Sequence, residues 1–110
     1  MSYRVSDEMQ ACIDACLHCY DTCLGMAMGH CLEEGGEHVA PDHFRLMMAC
    51  AEICRTSAHF MLIQSPHHRN ICRECAEICD ECARDCEGLG GMKACVEACR
   101  RCAEHCRRMV

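Results

Sequence analysis

The sequence has no tryptophan, two tyrosines, two phenylalanines, two prolines and a single lysine, Lys93. Leucine, isoleucine, valine and phenylalanine together number 17 in 110 residues. That deficit excludes an ordinary aliphatic core and would by itself suggest disorder. No apolar run approaches a membrane span, which needs about 18 residues. With 11 basic against 17 acidic residues and a net charge of −6, no basic stripe exists. That excludes an electrostatic nucleic-acid surface. Nothing alternates with period two, so strands are disfavoured. The opening residues lack an apolar h-region and a cleavage site, so the expectation is a cytoplasmic protein without a secretory leader.

What the chain does have is sulfur: 16 cysteines and nine methionines. In a reducing cytosol so many thiols argue against a disulfide framework and for metal binding or redox work. The length fits one domain over residues 1–110. Turn signals are sparse. They fall at Glu33–His38 with Pro41, at Gln64-Ser65-Pro66, and at Gly88–Gly91. Ser6 followed by Asp7 and Glu8 reads as a helix start, and Ser65 with Pro66 as another. Four helices are expected, at about 6–32, 42–64, 66–87 and 91–108. Short connections make sequential helices antiparallel. The fold class is all-α, an up-down-up-down four-helix bundle with a cysteine-lined core.

The pattern C-x3-C-x2-C-x3-C occurs on three of the four helices. Helix 1 carries Cys12, Cys16, Cys19 and Cys23. Helix 3 carries Cys72, Cys75, Cys79, Cys82 and Cys86, and helix 4 carries Cys95, Cys99, Cys102 and Cys106. Helix 2 has only Cys50 and Cys54, with Ser57 on a seam position where a thiol could sit. Steps of four and three follow the inward seam of a bundle helix. Fifteen cysteines lie on that seam; Cys31 falls beside it. The interior is therefore expected to be a thiol-lined tube.

Cysteines four apart on a helix have Cβ atoms about 5–6 Å apart, close enough for two thiolates to grip one ion. Seven such pairs exist, from Cys12/Cys16 to Cys102/Cys106. Soft thiolate ligands select Cu(I), with zinc and iron–sulfur clusters as rivals. One Cu(I) per thiolate leaves a neutral core. Tetrahedral zinc sites of four thiolates would each leave half their ligand charge uncompensated, which is costly in an apolar interior. Zinc and iron–sulfur sites also tend to draw on loop cysteines, and no loop here carries paired ones. Cu(I) balances best; an iron–sulfur or zinc-binding cysteine-rich protein is the alternative. An enzyme is not expected, because no exposed reactive thiol and no acid–base constellation stands out.

The motif repeated in register on three helices, with a thinner second helix, resembles the cytosolic bacterial copper storage proteins. The resemblance spans about residues 6–108. It implies Cu(I) storage or detoxification by the fifteen seam cysteines, a homotetramer, and His and Met near a mouth where copper enters, with a copper chaperone as candidate donor.

Topology sorts the ends. One end gathers Met26, His30, Cys31, His43, Met47 and Met92, the candidate port or secondary ligands. The other gathers Met9, Met61, His68 and Met109, read mainly as end packing, with His59, His67 and His105 nearby. His38 and His67 are expected to be solvated, as are the charged outer faces of helices 3 and 4. Helices 1 and 2 carry a second apolar stripe (Ile13, Leu17, Tyr20, Leu24, Met28; Leu46, Ala49, Ile53, Phe60, Ile63). A lone bundle cannot bury that stripe, so the chain is expected to oligomerise through it.

Overall fold

The structure is a computed structural model and describes residues 5–110. Four long helices dominate: α1 (Asp7–Met26), α2 (Pro41–Leu62), α3 (His68–Glu87) and α4 (Lys93–Arg108). Helix α1 runs on through a π-helical turn, Ala27–Cys31, into the short helical segment Leu32–Glu34. A 3₁₀ turn, Gly36–Val39, leads into α2. No strand occurs among the described residues. Each long helix packs beside the next in sequence, and α4 closes the ring against α1. The result is an antiparallel rod with extents of 52 × 20 × 18 Å.

The helix starts have local causes. Ser6 caps α1: its Oγ accepts the Met9 N–H at 3.1 Å, and Asp7 and Glu8 follow in the first turn, where the helix dipole favours acids. Pro41 sits at the first position of α2, where its missing N–H costs nothing. The expected start of α3 is corrected. Pro66 lies outside the helix, which begins at His68, and Ser65 instead accepts the His67 N–H in the preceding turn. Helix α4 likewise begins at Lys93, after Met92 rather than at Gly91.

Alanines beside the seam let the helices close on one another. Ala15, Ala51, Ala76, Ala83, Ala98 and Ala103 are buried, and each adjoins a seam cysteine in sequence. Small flanks shorten the interaxial distance, which depends on contact side-chain size. Short cysteine side chains from all four helices can then meet on one axis. Outside, Arg100 pairs with Asp80 and Glu87, and Arg107 pairs with Asp80, tying α3 to α4. Such exposed pairs contribute little individually.

The π-turn corrects the seam at the end of α1. A π-turn inserts one residue into the helical register. The inward positions after Cys23 become Ala27 and Cys31, both fully buried, while Met26 and His30 are only partly covered. Cys31 therefore joins the interior it was expected to miss. Ile13 is also buried within the chain, at 1% exposure, so it leaves the outer apolar stripe.

Candidate metal centre

All 16 cysteines are free thiols with no solvent exposure. Their sulfurs touch across the bundle in every direction. Cys16 lies 3.5 Å from Cys102 between α1 and α4, and Cys54 lies 3.5 Å from Cys79 between α2 and α3. Diagonal contacts join α2 to α4, with Cys50 to Cys99 and Cys54 to Cys102 both at 3.7 Å. Only convergence on a common axis allows neighbouring and diagonal helices to touch through side chains this short.

Four sets of four sulfurs have all members within 4.8 Å of one another: Cys16/Cys75/Cys102/Cys106, Cys19/Cys50/Cys54/Cys79, Cys19/Cys23/Cys50/Cys99 and Cys54/Cys75/Cys79/Cys102. A set of three, Cys12/Cys72/Cys106, continues the line. The sets share members. Cys19 and Cys50 each belong to two, as do Cys54, Cys75, Cys79, Cys102 and Cys106. Separate tetrahedral ions would need separate tetrads. Sulfurs common to adjacent sets suit ions linked by bridging thiolates instead. Apart from thiols, the only buried polar or charged side chains among the described residues are His43 and Ser57. Among the described residues no buried Lys or Arg offsets thiolate charge, so the ions themselves must supply it.

Sulfur contacts run from 3.5 to 4.0 Å. At a metal–thiolate distance of about 2.3 Å, the zinc value, ligand sulfurs lie roughly 4.0 Å apart around a trigonal ion and roughly 4.6 Å apart across a linear one. Exchanging a proton for a metal ion therefore asks the sulfurs to open by at most about 0.5 Å around a trigonal ion and by about 1 Å across a linear one, within reach of side-chain rotation. Until that exchange Cys54 and Cys31 hold their protons. The hydrogen bond with Cys102, with burial in support, pushes the Cys54 thiol well up, and burial alone pushes Cys31 up.

The two ends differ. Toward the C-terminus of α1, thioethers and imidazole interrupt the thiols. Met47 Sδ accepts S–H bonds from Cys86 at 3.5 Å and from Cys82 at 3.7 Å. Cys31 Sγ lies 3.8 Å from Met92 Sδ and 3.7 Å from His43 Nε2. His43 Nδ1 donates to Asp85 Oδ2 at 2.5 Å. A cleft of about 350 Å³ lined by Glu37, Asp42, His43, Asp85 and Leu89 opens here, and a second of about 300 Å³ reaches Cys86 and Met92. At the opposite end, a cleft lined by Met9, Pro66 and His68 has no cysteine in its wall.

Of the six residues expected at the port end, the structure brings Cys31, His43, Met47 and Met92 together with thiols. Met26 packs partly buried at the core's edge. His30 turns away from the tube: its Nε2 donates to the Gly90 carbonyl at 3.2 Å, and His38 donates to the same oxygen at 2.9 Å. His38, expected to be solvated, is thus a partly covered loop clamp. Asp85 escaped the sequence reading because it lies among the charged outer residues of α3. Only the packing of α2 on α3 brings it to His43.

The copper storage protein family model matches residues 5–110 of the chain. The Nmul_A1745 protein from Nitrosospira multiformis superposes with a TM-score of 0.94 at 63% identity, covering 96% of each chain. The Cu(I)-bound copper storage protein BsCsp3 superposes at 0.85 with 37% identity, covering 94% of this chain and 98% of its own. The uncharacterized cysteine-rich protein YhjQ of Bacillus subtilis is 38% identical over 77 residues, 70% of either chain. With its thiol-lined axis and a family match over nearly its whole length, the chain belongs to the copper storage protein family.

Proposed function

We propose that this chain stores Cu(I) ions along its axis, sequestering them from the cytosol. The ligands in this reading are the fifteen cysteines of the original seam, Cys12 to Cys23, Cys50, Cys54, Cys72 to Cys86 and Cys95 to Cys106. The observation that carries it is the sharing of thiols between adjacent four-sulfur sets in a core that, among the described residues, buries no Lys or Arg. Bridging thiolates with one monovalent ion each give a neutral filling. Copper is cargo here, taken up and given back, with no chemical transformation and no catalytic residue. A reducing cytosol keeps the thiols ready, and a copper chaperone is a fitting donor.

The Met- and His-bearing end is the port in this reading, because its clefts reach Cys86, Met92 and His43. Glu37, Asp42 and Asp85 make the first cleft acidic, which draws cations. Four chains assemble through the outer face of α1 and α2. Leu17 and Met28 remain 40% and 48% exposed there, and Leu62 and Ile63 continue the apolar surface at the end of α2.

Anaerobic loading with Cu(I), removal of free metal and elemental analysis test the storage reading. Colourless protein carrying many copper ions per chain supports it. A brown iron-bearing product from cells, or retention of zinc against Cu(I), overturns it.

A further inference from the structure

At the end away from the Met47 and Met92 thioethers, the last thiols of the axis form a set unlike the others. Cys12, Cys72 and Cys106 lie within 4.8 Å of one another, three sulfurs where each other set has four. Cys12 Sγ stands 3.8 Å from Cys106 Sγ. Cys12 and Cys72 belong to no other set, so Cys106 alone links the trio to the shared thiols of the tube. The missing corner has its cause in the sequence. One seam step beyond Cys54, Cys75 and Cys102 come Ser57, Cys72 and Cys106. Helix α2 therefore brings a hydroxyl to this level in place of a thiol. Ser57 is fully buried, and its Oγ has no hydrogen-bond partner among the described residues.

Three thiols without a fourth suit a different class of ligand. A divalent ion on three thiolates leaves one negative charge, and among the described residues no Lys or Arg is buried to offset it. A trivalent centre leaves none. Trivalent arsenic and antimony are soft, as thiolate ligands require. They form three bonds in a pyramid, with a lone pair on the fourth face. A fourth thiol would crowd that face, and α2 supplies none here. The ligand also has an approach. A cleft of about 340 Å³ lined by Met9 and His68 opens at this end. Met9 is three residues from Cys12 and His68 four from Cys72, spacings that place each pair on one helix face. Arsenous acid is uncharged at neutral pH, so it enters an apolar interior without the penalty a cation meets.

We infer that Cys12, Cys72 and Cys106 form a binding site for one trivalent metalloid, arsenic or antimony, taken up from its neutral hydroxide. The inference goes beyond copper storage and does not rest on it. With arsenic, three As–O bonds break and three As–S bonds form. As(OH)₃ and three thiols give the tris-thiolate and three waters. Each S–H proton leaves on a departing hydroxyl, so no net proton reaches solvent. Arsenic stays trivalent and no electron moves. Cu(I) in the same trio would instead release a proton for each thiolate formed. The two ligands therefore exclude each other there and differ in their proton count.

The test is anaerobic titration of the metal-free full chain with sodium arsenite in weak buffer. Mass spectrometry counts the arsenic and X-ray absorption counts its sulfur neighbours. Anomalous diffraction from crystals given one equivalent locates it. The expected result is one tightly held arsenic with three sulfur neighbours, no acidification, and an anomalous peak among Cys12, Cys72 and Cys106. Cys72→Ala should weaken this first equivalent roughly 100-fold or more, because the bond it removes is an intramolecular one. Fewer than three sulfur neighbours, a peak among the four-sulfur sets, or no uptake overturns the site. So does a Cys72→Ala chain that holds arsenic as tightly as the wild type. Absorption and diffraction are read on the wild type, so they decide even where the variant folds poorly. Cu(I) loading of the same preparation judges storage separately. Arsenic uptake without copper uptake overturns storage and leaves the site; copper uptake without arsenic does the reverse.

Discussion

Two single residues expose the cost of building an interior from thiols. Ser57 is fully buried on the α2 seam, and its hydroxyl finds no hydrogen-bond partner among the described residues. A buried unsatisfied hydroxyl costs about 1–3 kcal/mol. Ser57→Ala should therefore stabilise the metal-free bundle by a similar amount, read by urea unfolding under reducing conditions; equal or lower stability would mean the hydroxyl is satisfied. Gly91 is the converse case. It has φ +77°, and a Cβ there would stand 2.6 Å from His30 Nε2. Gly91→Ala combines left-handed strain with displacement of the His30 clamp, so a loss of about 1–3 kcal/mol is expected. A neutral result would show that His30 and the loop move aside freely.

At the scale of the helices, most of the structure was legible in the spacing of one residue type. Steps of four and three on α1, α3 and α4 announced both the bundle and which face turns inward, because cysteine is far too regular here to be incidental. Seam Met47, Met61 and Met92 were legible for the same reason, and all are buried. The reading failed where periodicity itself changes. A single inserted residue in Ala27–Cys31 exchanges Met26 and His30 for Ala27 and Cys31, and no heptad count foresees it. The exact start of α3 was missed because Ser65 can serve a turn as well as a cap. Deleting Gly29 should remove the inserted residue, restore regular α-helix and leave Cys31 on the inward seam at the place of residue 30. The check is thiol labelling of the metal-free chain, in which every cysteine should stay protected. One quickly reactive cysteine would show that the π-turn does more than add a residue to the register.

For the molecule as a whole, proton and metal compete for the same sulfurs. Burial raises Cys31, and Cys102's hydrogen bond with burial raises Cys54. At these two thiols the folded chain keeps protons that the unfolded chain releases above the ordinary thiol pKa of about 8.5. The stability they contribute to the metal-free bundle should be fully present below that pH and decline as pH rises through it toward the folded values. Thermal unfolding at a series of pH values checks the sign; a bundle that grows more stable with rising pH would contradict it. Assembly belongs to the same scale. On the proposed assembly through α1 and α2, Leu17→Arg with Ile53→Arg should lower the mass found by light scattering below that of the wild type. A wild type that is monomeric both with and without copper would refute the α1/α2 interface. The most direct test of a thiol axis filled by monovalent ions is to count copper and protons together. In an anaerobic, weakly buffered titration against a competing Cu(I) chelator, the account predicts uptake approaching one ion per thiol, with protons released as thiols become thiolates. Saturation at only a few ions per chain, or copper bound without proton release, would contradict it.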